Sequence, residues 1–152
     1  MRLTTKGRYG VRAIVNLAHE AQNRPISISK IAKHEGLSPE FLEQIFFKLK
    51  KAGVIRSIRG PKGGFVLDLK PADISVKQIL DAVGEPLFPA PCTDCENAPT
   101  CQREKNCPVS PVWHKLYKLM DEFLSGITLK DIVDQNETDQ FPGLETGQDF
   151  SI

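Results

Sequence analysis

Apolar residues in the first third of the chain recur at helical steps. Between positions 5 and 22, "TKGRYGVRAIVNLAHEAQ" puts Val11, Ile14, Val15 and Ala18 on one stripe with Leu17 on its flank, which predicts an amphipathic helix. "RPISI" breaks that pattern, and Ser27 or Ser29 is placed to cap a second, short helix, "SKIAKHE", with Ile28, Ile31 and Ala32 facing inward. Gly36 stops it. In "LSPEFLEQIFFKLKKAG", Ser38 has the chemistry of an N-cap, Pro39 suits the first helical position and Gly53 stands just past the end. Phe41, Leu42, Ile45, Phe46 and Leu49 make the predicted core face of this third helix.

The period then changes from helical to alternating. "VIRSIR" and "FVLDLK" read as strands joined by "GPKGG", a hairpin tip. Two helices about a glycine turn, followed at once by a hairpin, predict a winged helix-turn-helix. "SVKQILDAVGE" adds a helix between Ser75 and Gly84, and "PLFPAPC" leads out of it. From Pro108 helical spacing returns in Val109, Val112 or Trp113, Leu116, Met120, Phe123 and Ile127. That seam is larger than a lone surface helix beside a small domain needs, and it predicts pairing with a second copy; folding back on its own head is the alternative. "TLKDIV" gives a terminal helical turn, and the polar, acidic remainder is expected to be disordered.

The expected fold is therefore mainly α with a small β-hairpin. Its parts are a winged helix-turn-helix domain over 1–84, a cysteine-rich loop over 85–108, a long C-terminal dimerisation helix with its terminal turn over 109–134, and a tail over 135–152.

Charge sharpens this picture. The formal net charge of +1 conceals a basic head, with 14 Lys or Arg against 5 Asp or Glu in residues 1–70, and an acidic remainder, with 6 against 14. Such a head suits a polyanion, and with this fold the expected partner is a double-stranded DNA operator. Base-edge candidates are Ser38, Glu40, Glu43, Gln44 and Lys48 on the third helix, with Phe47 also pointing away from the core; Gln suits adenine and Glu the cytosine amino group. Lys50, Lys51, Arg56 and Lys62 fit phosphate, Arg59 a narrow minor groove, and Lys6, Arg8 and Arg12 the backbone. A homodimer would present two reading helices to a pseudo-palindromic site.

All four cysteines fall in "CTDCENAPTCQREKNC", spaced Cys92-x2-Cys95-x5-Cys101-x5-Cys107. The start "MRLTTKGRYG" lacks a signal-peptide h-region and no apolar run is long enough for a membrane span, so a cytoplasmic location is expected, where permanent disulfides are unusual. Structural zinc, a reversible thiol switch and an iron–sulfur cluster remain as readings. Zinc sites generally use two close cysteine pairs and only one is present; a thiol switch leaves two cysteines over; a cluster tolerates wide gaps on an irregular loop. With almost no apolar residue to bury, the loop favours a bound centre as its organiser. No paired carboxylates in an apolar setting, Cys–His nucleophile or phosphate-binding glycine loop is present, so an enzyme is not expected. An electron-transfer or cluster-carrier protein would account for the thiols but leave the basic head unexplained.

"MRLTTKGRYGVRAI", "GLSPEFLEQIFFKLKKAGVIRSIRGPKGGF" and the Cys95-x5-Cys101-x5-Cys107 run resemble the iron–sulfur winged-helix transcription regulators typified by IscR and NsrR, from Met1 to about Gln135. The resemblance implies a homodimeric regulator, with a cluster (2Fe-2S or 4Fe-4S) held in the loop by Cys95, Cys101 and Cys107 and controlling the grip on DNA. The chain departs from the pattern at the fourth ligand. Ser110 stands where IscR-like members carry histidine, Arg8 stands where others carry an acid, and Cys92 is the extra thiol that can take the role. Cluster-free and zinc-stabilised regulators are the alternatives within that resemblance.

Overall fold

Helix α1 spans Thr5–Glu20, and its buried residues are Gly7, Gly10, Ala13, Ile14, Asn16 and Leu17. The protein is described by a computed structural model over residues 3–20, 24–85, 87–94, 101 and 103–135. Ala21 and Gln22 of the predicted first helix, Cys95, and the predicted disordered tail beyond Gln135 lie outside the described residues. The buried arc of α1 is broader than the expected stripe: Leu17 is wholly buried rather than flanking, whereas Val11, Val15 and Ala18 are half-buried. The cause is that α1 packs against neighbours on several sides, namely α2 (Ile28–Glu35), α3 (Pro39–Lys51), α4 (Val76–Val83) and α6 (Leu129–Asp134).

Local chemistry explains the element ends. Ser27 caps α2 by accepting from the Lys30 N–H, and Gly36 closes it with φ 67°, a left-handed turn that places α3 at an angle to α2. Ser38 and Pro39 open α3, whose Leu42, Ile45, Phe46 and Leu49 are fully buried while Phe41 is half-buried. Strands β1 (Ile55–Ile58) and β2 (Gly64–Leu67) pair antiparallel, Ile55 opposite Leu67 and Ile58 opposite Gly64. Ile26 adds one further bridge, exchanging backbone hydrogen bonds of 3.0 and 2.8 Å with Phe65, so the base of the wing is tied to the segment before α2.

Helix α5 spans Ser110–Gly126. Val109 just before it, and Val112, Trp113, Leu119 and Phe123 along it, are exposed, with Leu116 and Met120 half-buried beside them. This outward row differs from the expected seam at two points. Leu119 joins it, and Ile127 leaves it: α5 ends at Gly126, so Ile127 is extended, 5% exposed, and its carbonyl accepts from the Val76 N–H at 2.9 Å. Ile127 completes a small second core with Val76, Leu80 and Leu87.

The chain then returns to the head. Leu129 is fully buried in the main core and donates its N–H to the Ile74 carbonyl at 2.7 Å, with Val133 packed alongside. A capping box starts α6: Asp131 accepts from the Thr128 N–H at 2.8 Å while the Thr128 hydroxyl accepts from the Asp131 N–H at 3.2 Å. The hydrogen bonds from Thr128 hold the Asp131 carboxyl below its ordinary value. A depressed folded-state pKa stabilises at neutral pH, and the contribution disappears as pH falls below roughly 3.9, the unfolded carboxyl's value. Asp131→Ala is expected to lower stability by about 0.3–1 kcal/mol at pH 7 in chemical denaturation, with the difference from wild type shrinking as the carboxyls titrate. Among the described residues no helix is long and apolar enough to cross a membrane.

Candidate functional site

The core side of α3 is sealed by its four fully buried side chains, so its opposite side faces solvent. There Glu40, Glu43, Gln44, Phe47, Lys48 and Lys51 line one open groove of about 760 Å³. All six are residues singled out from the sequence, and Phe47 is 70% exposed, a large ring held in water. Ser38 lies at the head of this face, with its hydroxyl accepting from the Phe41 N–H at 3.2 Å. Its side chain is thus committed to the helix terminus.

The basic residues divide into two kinds. Arg59 and Lys62 stand exposed on the wing tip, a turn closed by the Gly63 N–H donating to the Gly60 carbonyl at 2.8 Å and requiring φ 118° at Gly60. Lys51 and Arg8 are also exposed. The others have partners within the chain. Arg56 is 3.2 Å from Asp68, Lys50 donates to the Ser57 hydroxyl at 2.9 Å, and Arg12 lies 2.8 Å from the buried Glu35 carboxylate. Lys48 is half-buried and turns back, its Nζ donating to the Val83 carbonyl at 3.1 Å. Desolvation, and then the nearby charge of Lys6, push its ammonium below the usual lysine value.

The thiol loop hangs between α4 and α5. Its outgoing limb is anchored by the buried Leu87 and by the Phe88 ring, 5.6 Å from the Tyr117 ring on α5. Cys92 sits half-buried in a 3-10 turn, Pro91–Thr93, that packs on α5; the buried Thr93 donates its hydroxyl to the Ala90 carbonyl at 2.7 Å. Cys101 is exposed and Cys107 half-buried, at either end of a second such turn, Glu104–Asn106. The Cys101 carbonyl accepts from the Glu104 N–H at 2.8 Å, and the Cys107 carbonyl from the Ser110 N–H at 3.2 Å, so Cys107 leads directly into α5. Ser110, at the position where the resemblance has histidine, is buried at the helix start. His114 reaches back with Nε2 3.7 Å from a Glu104 oxygen.

Cys92, Cys101 and Cys107 are free thiols, so the donor chemistry fits a thiolate-ligated iron–sulfur cluster or zinc. Among the described residues no three of the His, Cys, Asp and Glu side chains are gathered as a metal site.

Sequence reasoning missed two polar features. One is a cluster between α1 and α2, in which Glu35 is shared by Arg12 and His34, and Asn16 lies 2.5 Å from His34 Nδ1. It borders a cavity of about 440 Å³ that also meets Val15 and Ile132. The other is Glu85, buried at the root of the thiol loop. An available signal was the lack of any acidic residue in the first turn of α1, which leaves that helix start to be capped from elsewhere.

A helix-turn-helix carrying a β-wing, with a solvent-facing second helix and a basic surface, defines a winged-helix DNA-binding protein. The chain belongs to the Rrf2 family of iron-dependent transcriptional regulators, which it matches over residues 3–135. It is 39% identical over 140 residues to the HTH-type transcriptional regulator IscR of Aliivibrio salmonicida, covering 92% of this chain and 82% of that one. Among solved structures it is similar to T. potens IscR, with a TM-score of 0.72, 34% identity, and 93% and 92% of the two chains covered. CymR, the global cysteine regulator of B. subtilis, matches with a TM-score of 0.72 at 30% identity over 90% of this chain and 99% of that one. The protein is accordingly a DNA-binding transcriptional regulator and not an enzyme.

Proposed function

We propose that the chain is a homodimeric repressor whose affinity for a pseudo-palindromic operator is set by an iron–sulfur cluster held by Cys92, Cys95, Cys101 and Cys107. The observation that carries this reading is the mounting of the thiol loop. Cys92 lies in a turn packed on α5, and Cys107 is joined to the first turn of the same helix. A group that draws the thiols together therefore acts on α5, whose exposed Val112, Trp113, Leu119 and Phe123 supply the apolar face for a second copy. The resident cluster would supply iron–thiolate bonds that cross-link the loop and are sensitive to iron supply, nitric oxide or oxidation. Similarity to IscR supports this reading.

On the DNA, Glu40, Glu43 and Gln44 read base edges, with Ser38 fixing where α3 begins and Phe47 supplying apolar contact. Lys51, Arg59 and Lys62 meet phosphate or the minor groove. Arg56, paired with Asp68, meets phosphate only by leaving that carboxylate, and Lys48 acts from the edge of the face. Gln44→Ala is expected to weaken operator binding by about 1–3 kcal/mol while leaving binding to unrelated DNA unchanged, measured by titration at fixed salt.

A second reading has a specific observation behind it. CymR neighbours this fold, and Staphylococcus aureus CymR has been solved in an oxidized form, at a TM-score of 0.70 and 30% identity. With Cys101 exposed and free, a cluster-free thiol switch, or a zinc-stabilised loop, would use the same mounting. Anaerobic purification with iron, sulfide and zinc quantified, followed by operator titration before and after removal of the metal, decides between them. Iron and sulfide in equal amounts with a change in affinity supports the cluster; zinc, or no metal with a response to oxidant, replaces it.

A further inference from the structure

Glu85 is the first residue beyond Gly84, where α4 stops and the path to the thiol loop begins, and it is only 3% exposed. One carboxylate oxygen accepts from the Thr4 N–H at 2.8 Å and the other from the Thr4 hydroxyl. Thr4 immediately precedes α1, so the carboxylate sits at a helix start, where backbone N–H groups lack partners and negative charge is favoured. The fit is close. A Cβ on Gly7 would lie 2.8 Å from the Glu85 carboxylate, so any larger residue there has to push the carboxylate aside.

The two preceding residues touch a different element. The Val83 carbonyl accepts from Lys48 on α3, and a Cβ on Gly84 would lie 3.1 Å from the same Nζ. Two residues further on, Leu87 is buried with Val76, Leu80 and Ile127. The root of the loop, through Val83, Glu85 and Leu87, is thus in contact with the start of α1, with α3 and with Ile127 just beyond α5.

We infer that Glu85 is the positioning residue through which the thiol loop acts on the DNA-reading face, gripping the start of α1 while its neighbour Val83 holds Lys48 of α3. This rests on the cluster-controlled reading above. A displacement of the loop root pulls on both contacts together and tilts α1 against α3, which alters how the reading face meets DNA without any change in its side chains.

The test uses the full-length protein with Glu85→Gln, which keeps the shape and one acceptor but removes the charge, and Gly7→Ala, which disturbs the same contact from the other side. Iron and sulfide content are expected to match wild type in both, while the holo-to-apo affinity ratio falls from roughly 5–150-fold to within about 2-fold. A wild-type ratio at wild-type loading overturns the inference, and so does loss of the metal. If wild type itself shows no ratio, the switch has failed, and amide exchange in the same samples decides the latch. Faster exchange in Glu85→Gln at both the first turn of α1 and residues 46–51 of α3 supports it. Faster exchange confined to α1, or none, reduces Glu85 to an ordinary cap.

Discussion

Phe46→Ala is expected to remove about 3–5 kcal/mol of folding stability, the range for deleting a fully buried aromatic ring. Phe46 is wholly buried on α3 and meets Phe65 of β2 edge-to-face, with centroids 5.0 Å apart and planes at 86°. The loss combines transfer of the ring to water, a cavity in the main core, and the aromatic contact itself, worth roughly 0.5–1.5 kcal/mol. Domains of this size are stable by only about 5–15 kcal/mol, so the variant should unfold at markedly lower denaturant and lose the wing's docking with it. The informative control is the next residue. Phe47→Ala, at a ring 70% exposed on the reading face, should leave stability within about 0.5 kcal/mol and act on DNA binding instead. Equal destabilisation by the two would mean that α3 is rotated relative to the arrangement described.

On the cluster-controlled function proposed above, Cys107→Ser is expected to abolish cluster loading and with it the whole holo-to-apo difference in operator affinity, roughly 5–150-fold. Serine is a poor iron ligand, and Cys107 is the thiol joined most directly to α5, through the Ser110 N–H. The variant should be colourless after anaerobic reconstitution, yet unfold like apo wild type, because Cys107 lies outside both apolar cores. Cys92→Ser addresses the fourth ligand. Loss of iron with it assigns Cys92 to the set, whereas full loading and an unchanged visible spectrum remove it. A Cys107→Ser protein that keeps iron and a wild-type response would end the cluster reading for this loop.

Much of the fold was legible because its signals are local. Ser27, Ser38 and Ser75 announce helix starts, Gly36 and Gly84 mark stops, and the change of period at Val54 announces the wing. The solvent-facing side of α3 was legible for the same reason: once Leu42, Ile45, Phe46 and Leu49 face the core, helical geometry sends Glu40, Glu43, Gln44 and Phe47 outward. What escaped depends on residues distant along the chain. The burial of Ile127 follows from backbone pairing with Val76, and the inward turn of Lys48 from a carbonyl 35 residues away. The role of Glu85 requires Thr4, 81 residues earlier, to be beside it. Periodicity carries no information about such pairs, and a charged residue beside a glycine stop reads as surface.

Leu129 lies wholly inside the main core, beside side chains made more than a hundred positions earlier, such as Ile14. During synthesis the reading head therefore emerges from the ribosome lacking one of its internal leucines, and completes its interior only after the thiol loop and α5 have also been made. A nascent or prematurely ended chain therefore has an incomplete core. The order of synthesis thus ties possession of a complete winged-helix head to possession of the segment that carries the thiols.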